Sequence, residues 1–180
     1  MNLDRYQILD IHEVSPEEFF ELIDRNRQHL AQGFPTTIRL CSSVQKTAEL
    51  VETYRKQHDS TKGFSFFIKD KELDKFVAHV NIKNIDQKLK KCELGYFADK
   101  DFTGKGITSS AVNHTVTYCF EKLQMNKIFI CADPDNIGSQ KVALCSGFKK
   151  EGVLREEFKH PDGRLLDVVY FGKLRSEHHT

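Results

Sequence analysis

Between Glu93 and Thr108 a strand pattern runs through two glycines straight into a long helical pattern, and this junction restricts the possible folds more than any other stretch. Glu93-Leu94-Gly95-Tyr96-Phe97-Ala98 reads as a strand and Thr103-Gly104-Lys105-Gly106-Ile107-Thr108 as the turn. Ile107, Ala111, Val112, Val116, Cys119, Phe120 and Leu123 then mark one helical stripe. Glycine lets the backbone turn its amides toward an anion, and a helix N terminus adds a favourable dipole, so the junction suits a pyrophosphate. The same residues also fit a plain glycine turn into a helix, because a lone G-K-G carries little information.

The flanking periods extend the pattern. Residues 6–11 read as a first strand. In Ser15-Pro16-Glu17-Glu18, Ser15 can cap a helix, Pro16 suits its first position and Glu18 completes a capping box. Phe19, Phe20, Leu22 and Ile23 form the apolar face, and Gly33 with Pro35 ends the region. A second helix is predicted over 44–58, with Val44, Ala48, Val51 and Tyr54 or Arg55 near one stripe. Residues 64–68, 76–82 and 92–98 read as an antiparallel meander. After the long helix come a strand over 127–132 and a short helix over 137–146 stopped by Gly147. Strands over 148–155 and 165–174 are joined through His160-Pro161-Asp162-Gly163. The whole predicts an α/β fold.

A chain of 180 residues suits one domain, expected as residues 1–180 with a core over about 6–174 and a polar tail over 175–180. With 29% charged residues and a net charge of +1, the chain is neither an acidic disordered segment nor a basic nucleic-acid arm. The segment Met1-Asn2-Leu3-Asp4-Arg5 lacks the apolar run of a signal peptide, and no later stretch approaches the roughly eighteen apolar residues of a membrane span. No membrane or nucleic-acid partner is therefore expected, and the default is a cytoplasmic enzyme. Cys41, Cys92, Cys119, Cys131 and Cys145 show no C-x-x-C spacing and are odd in number, which argues for reduced, mostly buried thiols and against a zinc site. His178 and His179 lack a third ligand at helical spacing, so no metal is expected and a disordered polar end is the better reading.

About thirty residues after the glycine turn stands Asp133-Pro134-Asp135-Asn136-Ile137-Gly138-Ser139, followed by Gly147-Phe148-Lys149-Lys150-Glu151-Gly152 and Asp167-Val168-Val169-Tyr170. With Glu93-Leu94-Gly95-Tyr96 and Gly104-Lys105-Gly106, these five ordered matches resemble the GNAT superfamily of N-acetyltransferases. Within it they are most similar to the bacterial ribosomal-protein alanine and serine N-acetyltransferases. The resemblance implies a single-domain GNAT fold, with a mixed central sheet splayed between its fourth and fifth strands and flanked by helices. It also implies that acetyl-CoA is the acetyl donor and a primary amine the acceptor, in a monomer or homodimer.

By the same resemblance, the backbone edge at Phe97 and Ala98 pairs with the pantetheine arm. Amides of Thr103, Gly104, Lys105, Gly106, Ile107 and Thr108 hold the pyrophosphate, and Asn136 hydrogen-bonds the pantetheine. The usual Gln or Arg at the start of the loop is Thr103 here, which removes a long polar arm but leaves the amides. Ser110 stands where relatives carry Glu. Acetyl transfer needs a neutral amine, a polarised thioester carbonyl and help for the departing thiolate. Many relatives supply the acid from a Tyr four residues before the Gly-Phe pair, which is Ala143 here. The subgroup places the Asn-x-x-Ser serine near the sulfur, so Ser139 inherits that role, and its base aligns with Glu157.

Glu157 also reads as a solvated hairpin charge beside Glu156, and Glu93 is a second base candidate. Nothing forms a Cys-His constellation, so direct attack in a ternary complex is expected. A protein N terminus is the favoured acceptor, with a polyamine, an aminoglycoside or a non-catalytic acyl-CoA-binding role as alternatives. The 14 phenylalanines read as core before binding cage, and His79 and His114 as packed or surface residues.

Overall fold

The computed structural model describes residues 5–178. β1 (Tyr6–Asp10) stops where the Asp10 side chain accepts the His12 N–H at 2.8 Å and opens a 3-10 turn. α1 (Pro16–Asp24) is capped by Ser15, whose Oγ accepts the Glu18 N–H at 3.2 Å. The expected box closes differently: the Ser15 hydroxyl itself donates to Glu18 at 2.9 Å. Phe19, Leu22 and Ile23 are fully buried.

The single helical region expected before Gly33 is instead broken into α1 and α2 (Arg27–Leu30), and a further helix not expected from the sequence, α3 (Pro35–Leu40), follows. Tertiary bonds account for the break. Arg25 pairs with Asp99 at 2.6 Å, while Asn26 donates to the Leu22 carbonyl at 2.8 Å and accepts the Lys100 N–H at 2.9 Å. Pro35 opens a helix, a position that its fixed φ favours. α4 (Val44–Asp59) buries Thr47, Leu50 and Val51, whereas Val44 and Ala48 are only half-buried. Thr47 is tolerated there because its hydroxyl donates to the Ser43 carbonyl at 2.9 Å.

β2 (Phe64–Asp70), β3 (Lys75–Asp86) and β4 (Lys91–Ala98) form the predicted meander, followed by α5 (Ile107–Glu121), β5 (Lys127–Ala132), α6 (Ile137–Cys145), β6 (Lys149–Lys159) and β7 (Leu165–Leu174). The seven strands make one sheet in the order β1-β2-β3-β4-β5-β7-β6. β4 and β5 are the parallel neighbours, and they pair only where Lys91, Cys92 and Glu93 meet Lys127, Ile128 and Phe129. Past that point β4 stays on β3 and β5 stays on β7, so the sheet splays between its fourth and fifth strands. One face packs Ile82, Leu94, Ile130 and Phe171 against α5, and the other packs Phe67, Phe76 and Phe97 against α1 and α4. The phenylalanines among these are core, as read.

One further expectation is corrected. The C-terminal segment is not a loose polar end up to His178: Arg175–Glu177 forms a 3-10 turn, Arg175 donates to the Met125 carbonyl at 2.9 Å, and the His178 ring lies 5.2 Å from Phe120. His179 lies outside the described residues, as do Met1 to Asp4. The five cysteines are free and mostly buried, as expected: Cys41, Cys92 and Cys119 are buried, Cys131 is half-buried and Cys145 exposed. Among the described residues, no helix is long and apolar enough to cross a membrane.

Candidate active site

Asp99 anchors the turn after β4. Its fully buried carboxylate holds Arg25 of α1 and accepts the Asp101 N–H at 3.0 Å, which sets the 3-10 turn Lys100–Phe102. Gly104 and Gly106 then take φ of 72° and 74°, the left-handed region that glycine enters without strain. A Cβ at either would meet nothing within 4 Å, so backbone conformation, not crowding, calls for glycine. Gly106 caps α5 without any side-chain bond, and the first helical bond runs from the Ser110 N–H to the Gly106 carbonyl at 3.0 Å. The first amides of a helix have no intrahelical acceptor, a geometry that suits an anion at the start of α5. The Thr103 hydroxyl donates to the Lys100 carbonyl at 3.0 Å and Lys105 Nζ to the Asp101 carbonyl at 2.7 Å, so both side chains brace the loop from within. The loop fits a pyrophosphate through main chain.

The splay between β4 and β5 forms a cleft of about 140 Å³, lined by Glu93 and Tyr96, by Cys131, by Asn136 and Ser139 at the start of α6, and by Asp167 of β7. Gln32 roofs it, with Nε2 donating to Asp133 at 2.9 Å. Asn136 Oδ1 accepts the Ser139 N–H at 2.9 Å, which caps α6 and leaves the Asn136 amide donors free for another acceptor. Ser139 in turn donates its hydroxyl to the Tyr96 oxygen at 3.2 Å, while the Tyr96 hydroxyl donates to the Ser139 carbonyl at 2.9 Å. Burial pushes the Tyr96 pKa up to about 12, against the smaller opposing effect of Ser139.

Glu93 is buried and spoken for: Lys83 Nζ lies 3.0 Å from one oxygen and Asn84 Nδ2 donates to the other at 2.7 Å. Glu157 is exposed on β6 and is not itself a lining residue, although its neighbour Phe158 is. The charges of both carboxylates act on the same thiol. Burial, then Glu93 and Glu157, push the Cys131 pKa up to about 11 against the lowering by Lys83 and Lys91.

Ser139 and Asn136 thus meet in the cleft, with Glu157 at its flank. Phe97 and Ala98 send their side chains into opposite cores, and their main chain lies in the part of β4 that has left β5. The loop from Thr103 to Thr108 sits at the start of α5, outside the cleft lining. Sequence reasoning assigned no role to Tyr96, Asp167 or the Gln32 roof. Tyr96 and Asp167 stand in recognised motifs, but their partners lie far along the chain or across the hairpin. His79 and His114 sit on opposite faces of the sheet, His79 buried and His114 exposed on α5.

Residues 9–149 match the acetyltransferase (GNAT) domain family. YdaF of Bacillus subtilis (strain 168), whose name carries a provisional ribosomal N-acetyltransferase assignment, is 31% identical over 162 residues, 89% of this chain and 86% of that protein. The ribosomal-protein-serine acetyltransferase of Escherichia coli (strain K12) is 27% identical over 153 residues, 82% and 83% of the two chains. The crystal structure of a ribosomal-protein-S5-alanine acetyltransferase from Vibrio fischeri shares the fold, with a TM-score of 0.85 at 23% identity over 100% of this chain and 98% of that one. The chain belongs to the GNAT family and is an N-acetyltransferase that takes its acetyl group from acetyl-CoA.

Proposed function

We propose that this enzyme acetylates protein N-terminal amines of the ribosomal-protein type, in the cytoplasm and within one catalytic domain. The observation that carries the chemistry is the Ser139 hydroxyl at the α6 wall of the β4–β5 cleft, backed by Tyr96. Amides from Thr103, Gly104, Lys105, Gly106, Ile107 and Thr108 hold the pyrophosphate, the free edge at Phe97 and Ala98 pairs with the pantetheine, and Asn136 donates to it from the facing wall. The amine nitrogen attacks the thioester carbonyl and forms the C–N bond. Glu157 takes the amine proton directly or through water, the C–S bond breaks, and Ser139 stabilises the thiolate. Glu157 is preferred to Glu93 because Lys83 and Asn84 already occupy both Glu93 oxygens. A Cys131 thiol pushed up to about 11 is a poor nucleophile, which favours direct transfer over an acyl-enzyme.

The names of YdaF and of the E. coli relative support the protein acceptor. Thiol release from acetyl-CoA should be followed with N-terminal peptides of ribosomal proteins, with polyamines and with aminoglycosides, and the product mapped by mass spectrometry. Turnover at peptide α-amines is expected. Turnover confined to polyamines or aminoglycosides would replace the acceptor, and none with any of the three would overturn the protein-acceptor reading.

A further inference from the structure

Asp167 opens the Asp-Val-x-x-Tyr motif, yet the chemistry above gives it nothing to do. β6 and β7 pair Leu154 with Val168 and Phe158 with Leu166. Between those pairs β7 contributes Asp167 alone, while β6 contributes Arg155, Glu156 and Glu157. Uninterrupted pairing from Leu154 would have set Glu157 opposite Leu165. The two-residue insertion carries it back beside Asp167, and the register resumes at Phe158. Bulges of this kind re-aim side chains next to functional sites.

The insertion turns at Glu156, which holds φ of 54°, a conformation unfavourable for a residue with a Cβ. Asp167 compensates: its Oδ1 accepts the Glu156 N–H at 2.9 Å. A carboxylate lining the cleft therefore fixes the backbone immediately before Glu157, whose charge is felt at the Cys131 thiol. We propose that Asp167 is a positioning residue, which holds the β6 bulge so that Glu157 faces the acceptor amine. This rests on Glu157 as the base.

Asp167→Ala should lower kcat roughly 10- to 100-fold, the scale of a misplaced catalytic group. Melting temperature and CoA affinity should stay near wild type. The loss should be largest at low pH, where the amine must shed a proton, and should shrink as pH rises. Asp167→Asn keeps an acceptor oxygen and should restore most of the rate. Glu156→Gly keeps the N–H and enters positive φ freely, so it should be tolerated, whereas Glu156→Val should resemble Asp167→Ala. Adding Asp167→Ala to Glu157→Gln should cost no further rate. Wild-type kcat in Asp167→Ala while Glu157→Gln is slow overturns the inference and spares the base. An Asp167→Asn variant as slow as Asp167→Ala overturns it too, since charge and not the bulge would then matter. Wild-type rates in Glu157→Gln remove the base, and the inference with it.

Discussion

The Tyr96 hydroxyl donates to the Ser139 carbonyl at 2.9 Å and accepts a hydrogen bond from the Ser139 hydroxyl at 3.2 Å, so one tyrosine fixes both ends of the serine that faces the cleft. With its pKa pushed up to about 12 by burial, Tyr96 stays protonated at neutral pH and its oxygen parks the serine proton until a stronger acceptor forms. Tyr96→Phe keeps the ring and removes both bonds. We expect kcat to fall on the order of tenfold, the equivalent of about 1.4 kcal/mol, and stability by about 1 kcal/mol. In a Ser139→Ala background the same change should leave the rate alone. Steady-state kinetics and melting of the four proteins decide it, and an unaltered kcat in Tyr96→Phe removes the tyrosine from the chemistry.

Gly106 offers a clean test of the phosphate loop. Its φ of 74° is one that Asn and Asp tolerate better than other non-glycine residues, and a Cβ there has open space. Gly106→Asn should therefore fold and bind CoA with modest loss. Gly106→Asp adds one negative charge in the same place, against the positive end of α5, and should weaken CoA much further, most strongly at low salt. Calorimetric titration of both proteins isolates the charge. Equal affinities would place the pyrophosphate elsewhere.

Elements whose signals are local were legible in the sequence. Ser15 and Glu18 announce α1 within four positions, and the meander alternates. The break after α1 was not, because Arg25 and Asn26 find Asp99 and Lys100 74 positions away. The site divides in the same way. Gly104 and Gly106 announce a backbone requirement on the spot, whereas Tyr96 meets Ser139 across 43 positions. Glu151 shows the limit of a motif: its carboxylate reaches Lys127 of β5 at 2.6 Å by crossing over Gly172 of β7, where even a Cβ would come within 2.1 Å of it. Only the strand order reveals that β7 lies between β5 and β6. Glu156 is opaque for another reason, since nothing in Arg-Glu-Glu signals a left-handed residue.

Acid should loosen the junction between α1 and the phosphate loop. Burial alone would raise the Asp99 pKa, but the Arg25 guanidinium and the Asp101 N–H outweigh it and hold the carboxyl below its usual range. Asp70, beside Arg5 and the Leu73 and Glu72 N–H groups, is held low in the same way. A carboxyl lowered on folding stabilises fully above its unfolded pKa of about 3.9, and that contribution is lost as pH falls through the lower folded value. Asp99→Asn should cost roughly 3 kcal/mol at pH 7, on the scale of breaking a buried pair, with the gap to wild type narrowing below about pH 4. Urea unfolding across that range measures it. A gap that stays constant down to pH 2 would show that the Asp99 charge contributes nothing.

His79 is a buried group whose replacement should stabilise the fold. It lies 4.5 Å from Phe67, 5.3 Å from Phe97 and 5.6 Å from Phe19 between ring centroids, and its Nε2 has no hydrogen-bond partner among the described residues. Burial pushes its pKa down to about 3, so the folded protein keeps it neutral where the unfolded chain, with a pKa near 6.5, takes up a proton. Because the unfolded state binds more protons between those values, stability is lost as pH falls from about 6.5 toward 3. His79→Leu removes both the unpaired nitrogen and the linked proton, at similar volume in an apolar setting. At pH 8 only the first effect operates, and the gain should be about 1 kcal/mol. At pH 5 the second adds about 2 kcal/mol more, one and a half pH units below the unfolded pKa at about 1.4 kcal/mol each. Denaturant midpoints of both proteins at pH 8 and pH 5 give the comparison directly, with acetyl transfer at pH 8 as a check that the cleft is intact. If His79→Leu gains no more at pH 5 than at pH 8, the imidazole is reached by solvent or protons in the folded state and the aromatic layer is not sealed.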